Sequence, residues 1–117
     1  MGAIEAEVLE RLWKAGRPLG VREVSEGLSG KPRAYTTMMT ILTRLVEKDL
    51  VRRIPAGRTF LYEPCGSQEE LAARAIREVL RTSRDPEAVL ARFVEQIADD
   101  PELMRRLADL VTREAEP

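Results

Sequence analysis

The 117-residue chain contains no histidine and a single cysteine, and these two shortages exclude most enzyme chemistry. Catalytic triads and dyads that use histidine as their base cannot form, and most zinc sites need histidine or several cysteines. Cys65 alone cannot close an internal disulfide, which is typical of a protein from a reducing compartment. The seven glycines are scattered and form no phosphate-binding loop. We therefore expect neither an enzyme nor a protein that holds a metal or another cofactor.

Long apolar runs are also missing. No stretch approaches the roughly 20 apolar residues that a membrane-spanning helix needs. The segment Met1–Glu5 lacks the basic-then-apolar pattern of a secretory signal. Both features predict a soluble cytoplasmic protein without membrane insertion.

Charge is nearly balanced, with 19 basic and 20 acidic side chains, but it is unevenly distributed. Residues 1–65 carry 11 basic and 8 acidic side chains, whereas residues 66–117 carry 8 and 12. The first part is therefore net positive and the second net negative. This distribution is typical of an anion-binding module joined to a part that does not contact the anion.

The spacing of apolar residues predicts three helices in the first half, over about 3–15, 22–28 and 34–48. Two short runs, Leu50–Ile54 and Thr59–Tyr62, flank Pro55-Ala56-Gly57-Arg58 and predict a β-hairpin with a four-residue turn. The predicted core consists of Leu12, Trp13, Val24, Leu28, Ile41, Leu42 and Leu45. Three helices followed by a hairpin with a basic tip are the arrangement of a winged helix-turn-helix.

The third predicted helix is polar on one side and apolar on the other. At about 100° per residue, its apolar residues Met38, Ile41, Leu42 and Leu45 share one side. The opposite side is rich in threonine, although β-branched residues are mediocre helix formers. We infer that these hydroxyls serve a function other than helix stability.

Everything after residue 66 reads as helix. Ser67 and Glu70 form a capping box, and the Asp-Pro-Glu triplets at 85–87 and 100–102 each open a further helix. Three short helices can hardly bury their own apolar faces, and a second copy of the chain is the simplest partner. The candidate dimerisation residues are Leu71, Ile76, Val89, Leu90, Phe93, Val94, Ile97, Leu103, Leu107 and Leu110. The alternative is internal packing within one chain.

We therefore predict a mainly α protein in two domains. Residues 1–65 form a winged helix-turn-helix with three helices and a β-hairpin wing, and residues 66–117 form C-terminal dimerisation helices.

The stretch Ala34–Leu45, AYTTMMTILTRL, followed by Gly57-Arg58 and Tyr62, resembles the penicillinase repressor (BlaI/MecI) family. Leu9–Trp13 and Val21–Val24 fit the same pattern. The resemblance implies a homodimeric repressor that binds palindromic operators through the winged helix and pairs through the C-terminal helices.

The resemblance also implies a switch. Antibiotic-sensing members of the family respond to a membrane sensor protease system and are cleaved before a phenylalanine that usually follows asparagine. Phe93 is the matching position, and Arg92 takes the place of the asparagine. The copper-sensing branch carries a C-terminal cysteine cluster, whereas this chain has no cysteine after Cys65.

Double-stranded DNA would meet the start and the polar side of the third helix, together with the wing. Hydroxyls, helix N-termini and basic side chains usually bind phosphates, and residues further along a helix in the major groove reach base edges. The candidate DNA-binding residues are Arg33, Tyr35, Thr36, Thr37, Met39, Thr40, Thr43, Arg44, Lys48 and Arg58. Arg44 could bind guanine bidentately and the threonine methyls could contact thymine.

Several of these assignments have a plain structural alternative. Met39 could contact a thymine methyl or fill a gap in the core. Arg33 could bind the DNA backbone or belong to a mobile loop. Arg52 and Arg53 alternate on a strand, so only one of them can face DNA, while Tyr62 fits packing against the wing base. For the whole chain, the alternative function is a winged-helix module for protein–protein interaction, without sequence-specific DNA binding.

Overall fold

Six helices and one β-hairpin follow one another along residues 2–117, the part of the chain that the computed structural model describes. The elements are α1 (Ala3–Ala15), α2 (Val21–Glu26), α3 (Tyr35–Glu47), β1 (Val51–Ala56), β2 (Thr59–Pro64), α4 (Gln68–Arg81), α5 (Pro86–Ile97) and α6 (Pro101–Ala115). The mainly helical fold with a two-stranded wing is thus confirmed. None of these helices is both long and apolar enough to cross a membrane.

Local sequence signals explain where the first helices begin and end. Gly16 adopts a left-handed φ of 66° directly after α1, a conformation that glycine reaches without strain. Glu23 accepts a hydrogen bond from the backbone N–H of Gly20 at 3.2 Å, which satisfies one of the unpaired donors at the start of α2. The second helix is shorter than expected, ending at Glu26.

The end of α3 has a tight geometry that the sequence pattern did not show. Leu50 N–H bonds to Leu45 C=O and Asp49 N–H bonds to Val46 C=O, both at 3.0 Å. These are the two bonds of a Schellman motif, and Asp49 occupies its left-handed position with a φ of 60°. The chain consequently reverses and enters β1 two residues later.

The hairpin differs from its prediction in the turn. Pro55 pairs with Phe60 and Ala56 with Thr59, so only Gly57 and Arg58 remain between the strands. The expected four-residue turn is therefore wrong, because proline is tolerated in a strand wherever its missing N–H is not needed by the ladder. Gly57 has a φ of 65°, which suits the first position of a two-residue hairpin turn.

Leu19 extends the hairpin by one isolated bridge. Its N–H and C=O both bond to Tyr62, at 2.9 and 2.7 Å. Leu19 thus anchors the segment before α2 to strand β2. This bridge holds the helix pair α2–α3 against the wing.

The core of the first half is built by α1, α2, α3 and the hairpin. Its buried side chains are Val8, Leu9, Leu12, Leu19, Val24, Met38, Ile41, Leu42, Leu45, Val51, Tyr62 and Leu71. Of the predicted core, Trp13 and Leu28 lie at the edge, partly buried. The Trp13 indole N–H donates to Gly66 C=O at 2.9 Å, so the ring ties the segment after the hairpin to α1.

The chain divides into two compact units between Ala73 and Arg74. The N-terminal unit holds the core described above, together with the first turns of α4. In the C-terminal unit, Asp85 and Asp100 each accept a backbone N–H at the start of α5 and α6, as the Asp-Pro-Glu triplets predicted. No residue of α5 or α6 is buried.

Candidate nucleic-acid interface

The recognition-type helix α3 presents a complete polar side to the surface of the N-terminal unit. Its apolar residues Met38, Ile41, Leu42 and Leu45 are buried against the core. Its exposed residues on the other side are Tyr35, Thr36, Thr37, Thr40, Thr43, Arg44 and Glu47. The structure therefore separates the two faces of α3 as the sequence pattern predicted.

The start of α3 offers its backbone donors to an external ligand. Ala34 occupies the N-cap position and supplies no side-chain acceptor, so the first N–H groups of the helix are not capped by that residue. The exposed hydroxyls of Thr36 and Thr37 lie in the same first turn. A helix start with free donors and hydroxyls favours a phosphate group.

Thr40 has already used its hydroxyl proton within the helix. Its Oγ1 donates to the backbone carbonyl of Thr36 at 3.0 Å. This bond fixes the rotamer of an exposed β-branched side chain. What remains for an outside partner is the methyl group, together with the lone pairs of the hydroxyl oxygen. Thr43 and Arg44 follow on the same exposed side.

A groove separates α3 from the wing. Tyr35 and Met39 of α3 form one wall, and Arg58, Phe60 and Tyr62 of the hairpin form the other. The Tyr62 hydroxyl donates weakly to the Met39 sulfur at 3.9 Å, so Met39 acts as packing at the base of the wing. Desolvation by burial raises the pKa of Tyr62, which stays a neutral donor.

The cations of the wing have different surroundings. Arg58 lies exposed in the two-residue turn at the tip. Arg52 is held by Glu63 on the opposite strand at 2.7 Å, and Arg53 lies over the ring of Phe60. Arg58 thus lies at the tip of the wing, whereas Arg52 and Arg53 lie along strand β1.

Two of the predicted DNA-binding cations make contacts within the N-terminal unit. The Lys48 ammonium bonds to Glu5 of α1 at 2.9 Å, and Glu5 is itself buried. Arg33 donates to Ser29 C=O at 3.3 Å and so holds the loop that precedes α3. Lys48 is therefore placed as a clamp between α1 and α3, because a buried carboxylate needs its partner.

Arg22 is an exposed cation that the sequence reasoning did not single out. It lies in the first turn of α2 and lines two grooves, both of which include Tyr35. Its position at the start of the helix that precedes the recognition helix was the available signal, since that helix crosses the DNA backbone in helix-turn-helix proteins.

The C-terminal unit has a different kind of surface. Its exposed apolar side chains are Ile76, Val79, Val89, Leu90, Phe93, Val94, Leu103, Leu110 and Val111. Ile97 and Leu107 of the predicted dimerisation set are half-buried. Leu71 differs from the rest of that set, because it is 5% exposed and packs into the core of the N-terminal unit.

The two residues of the predicted cleavage position lie inside α5. Phe93 is 48% exposed and lines an apolar depression with Val89. Arg92 is paired with Glu95 one turn further along, at 3.0 Å. The bond between Arg92 and Phe93 therefore belongs to an intact helical turn.

Potential metal ligands are dispersed. Within residues 2–117, no group of three or more histidine, cysteine, aspartate or glutamate side chains is arranged to hold a metal ion. Cys65 is a half-buried free thiol between β2 and α4.

Comparisons with known proteins agree with these features. Residues 1–113 match the family model described as penicillinase repressor. The chain is 39% identical over 116 residues to the transcriptional regulator BlaI of two Mycobacterium tuberculosis strains, CDC 1551 and H37Rv, covering 94% of this chain and 84% of that protein.

Two solved structures are also similar. A transcriptional regulator of Thermotoga maritima, Tm0710, is 16% identical over 99% of this chain and 80% of its own, with a TM-score of 0.51, which supports the fold. The monomeric form of Bacillus licheniformis BlaI in complex with the blaP half-operator is 28% identical over 60% of this chain and 85% of its own, with a TM-score of 0.49. With its family model matched over nearly the whole length, this chain belongs to the penicillinase repressor family.

Proposed function

We propose that this chain is a homodimeric transcriptional repressor that binds a palindromic DNA operator through α3 and the wing. The observation that carries the proposal is the exposed polar side of α3 next to an arginine-tipped hairpin, in a chain of the penicillinase repressor family. The relatives that the chain matches are transcriptional regulators, and none of the residues described above forms a catalytic constellation. We therefore include in the proposal that the chain is not an enzyme.

DNA-backbone contacts would fix the position of α3. The uncapped start of the helix and the hydroxyls of Thr36 and Thr37 suit one phosphate, and Arg58 suits a second contact, with the backbone or the minor groove. Arg22 and Tyr35 border the same surface and could hold the strand between these points. Such contacts provide affinity but carry no sequence information directly.

Base reading would come from the middle of α3. Arg44 has the planar donor pair that guanine accepts in the major groove, and the methyl groups of Thr40 and Thr43 match the methyl of thymine. Lys48 would contribute through the fold rather than by contact, because Glu5 holds its ammonium.

The C-terminal unit would supply the second subunit. Its exposed apolar residues lie on α4, α5 and α6, and covering them with the same residues of another copy would give an isologous interface. Two N-terminal units related by a two-fold axis, each binding DNA through its own α3 and wing, match half-sites roughly 34 Å apart, which is one turn of DNA. Leu71 stays outside this interface, since its side chain fills the N-terminal core.

Release from DNA by a membrane sensor protease system is the remaining part of the proposal, with a cytoplasmic repressor as the target. The bond between Arg92 and Phe93 is the candidate cleavage position. Because this bond lies within α5, cutting it requires local opening of the helix. Loss of α5 would then separate the two readers.

Selection of bound sequences from random duplex DNA, followed by footprinting, tests the proposal. The expected result is a palindrome whose half-sites are centred one helical turn apart, protected on one face of the duplex. Analytical ultracentrifugation of the same protein should give twice the 13.2 kDa mass of one chain. A monomer that shifts no duplex at physiological salt would contradict the proposal and favour a protein–protein interaction module.

A further inference from the structure

The wing carries two adjacent arginines, one of which is paired with a carboxylate while the other is not. Arg52 Nε lies 2.7 Å from a carboxylate oxygen of Glu63, directly across the hairpin, so a neighbouring charge neutralises it. Arg53 takes part in none of the ion pairs found within residues 2–117; its guanidinium carbon lies 4.7 Å from the centre of the Phe60 ring. Arg53 thus lies against an aromatic ring, with no carboxylate paired to it among these residues.

The strand register decides which way each arginine faces. Arg53 is directly opposite Tyr62, and Phe60 lies two residues before Tyr62 on the same strand, so these three side chains share one face of the hairpin. That face is turned toward α3, since the Tyr62 hydroxyl bonds to Met39. Arg52 and Glu63 lie on the other face. Of these two adjacent arginines, the one without an ion pair among residues 2–117 is therefore on the side of the recognition helix.

Arg53 lies over Phe60 and donates no hydrogen bond to any of residues 2–117. A guanidinium attracted to the face of an aromatic ring keeps its N–H groups available to an outside acceptor. The carboxylate that borders this groove, Glu23, is already bonded to Arg17 at 2.7 Å and to the Gly20 N–H. A phosphate entering beside Arg53 would consequently meet a guanidinium next to a groove whose lining cations are Arg22 and Arg58 and whose carboxylate is already paired.

We propose that Arg53 is the phosphate-binding residue on the α3 side of the wing and that Phe60 is its positioning residue. This inference rests on the proposed function and adds a contact that the sequence could not assign. A phosphate accepts two parallel bonds from a guanidinium, and an aromatic support that restricts the side chain beforehand reduces the freedom lost on binding.

The test compares Arg53→Ala with Arg52→Ala in the full chain, measured by fluorescence anisotropy on the selected operator and on an unrelated duplex across a salt series. Each variant removes one positive charge from neighbouring positions, so long-range attraction falls equally in both. Arg53→Ala should lose about tenfold in affinity on both duplexes. Its salt dependence should become shallower by about 0.9 in the log–log slope, whereas that of Arg52→Ala stays unchanged.

Phe60→Leu separates positioning from folding. Leucine keeps an apolar side chain but removes the aromatic face, and we expect an affinity loss of about threefold. Combined with Arg53→Ala, it should cost no more than Arg53→Ala alone, because the two residues act as a unit. Arg53→Lys should recover the salt slope but only part of the affinity, since lysine keeps the charge without the planar pair of donors.

Equal losses and equal salt slopes for Arg52→Ala and Arg53→Ala would overturn the inference while leaving the proposed function intact. Full additivity of Phe60→Leu and Arg53→Ala would remove the positioning role. If the unmodified chain bound no duplex at all, the proposed function would fail first, and the inference with it.

Discussion

The two units of this chain differ in how much of their apolar surface they bury within a single chain. The N-terminal unit buries ten large side chains almost completely, from every helix and strand up to Tyr62. The C-terminal unit buries none on α5 and α6, although these helices carry regular apolar stripes and good N-caps. One unit is therefore complete within a single chain, and the other has well-formed helices without a core.

This difference shows that local helix signals and burial are separate properties. Asp85 and Asp100 stabilise their helices through backbone contacts that need no partner. Apolar stripes, by contrast, stabilise a helix only when another surface covers them. Under the proposed function, the second copy of the chain supplies that surface, and the reader is complete before the dimer forms.

The largest expected effect comes from placing a charge in the exposed stripe of α5. Phe93→Asp should abolish self-association, because a carboxylate would have to be buried between two copies. Loss of the second reader should reduce affinity for the palindromic operator by about a hundredfold or more. Sedimentation and operator binding measure the two effects.

Ala91→Asp is the matched control for that variant. Ala91 is exposed on α5, on the side that carries Glu87 and Glu95. An added charge there should leave the dimeric state in sedimentation and the affinity for the operator unchanged. A dimeric Phe93→Asp protein would show that α5 is not part of the interface.

The contrast between the units can be sharpened by truncating one leucine in each. Leu42→Ala removes a fully buried side chain, and a cost of about 2–5 kcal/mol in the free energy of unfolding is expected. Leu110 is 52% exposed in the single chain, so Leu110→Ala should weaken self-association and leave the N-terminal unit untouched. Urea unfolding followed by the fluorescence of Trp13, the chain's single tryptophan, reports on the N-terminal unit. Equal shifts of that transition by both variants would mean that the two units unfold as one.

Within the N-terminal unit, base reading and backbone binding should also separate. Arg44→Ala should lower the preference for the operator over unrelated DNA by about 1–3 kcal/mol, since a bidentate base contact is lost. Arg58→Ala should weaken binding to both duplexes alike. Competition binding with the two duplexes distinguishes them, and an equal loss on both for Arg44→Ala would argue against direct readout by this residue.

The smallest expected effect concerns Tyr62 at alkaline pH. Burial raises the pKa of this tyrosine above its ordinary value of 10.0. At a pH between 10.0 and the raised pKa of the folded chain, Tyr62 is ionised in the unfolded chain and neutral in the folded one. The free energy of unfolding therefore falls as the pH rises through that range. Tyr62→Phe should lessen this alkaline loss relative to the same chain at pH 9, measured by urea unfolding. Tyr35→Phe, which removes an exposed tyrosine hydroxyl, is the control, and an identical effect of both would contradict a role for burial.

Much of the N-terminal fold was readable from the sequence because its signals are local. The bounds of α1 and α3 and the two faces of α3 follow from apolar spacing, and the pattern around Ala34–Leu45 by itself indicates the family. The turn was misjudged because Pro55 looks like a loop residue, whereas the strand register admits it. Which face of the hairpin lies toward α3 depends on Tyr62 entering the core. The same packing determines that Arg53, and not Arg52, lies on that face.

The sequence by itself determined the elements of this protein: where helices begin, which of their faces are apolar, and where positive charge accumulates. All of these depend on residues within a few positions of one another. Only the tertiary structure decided which contacts each side chain makes with distant residues. Lys48 became the partner of a buried glutamate 43 positions away, and Leu71 joined the N-terminal core. Such pairings come from packing elements that are far apart in the chain, and no local pattern encodes them.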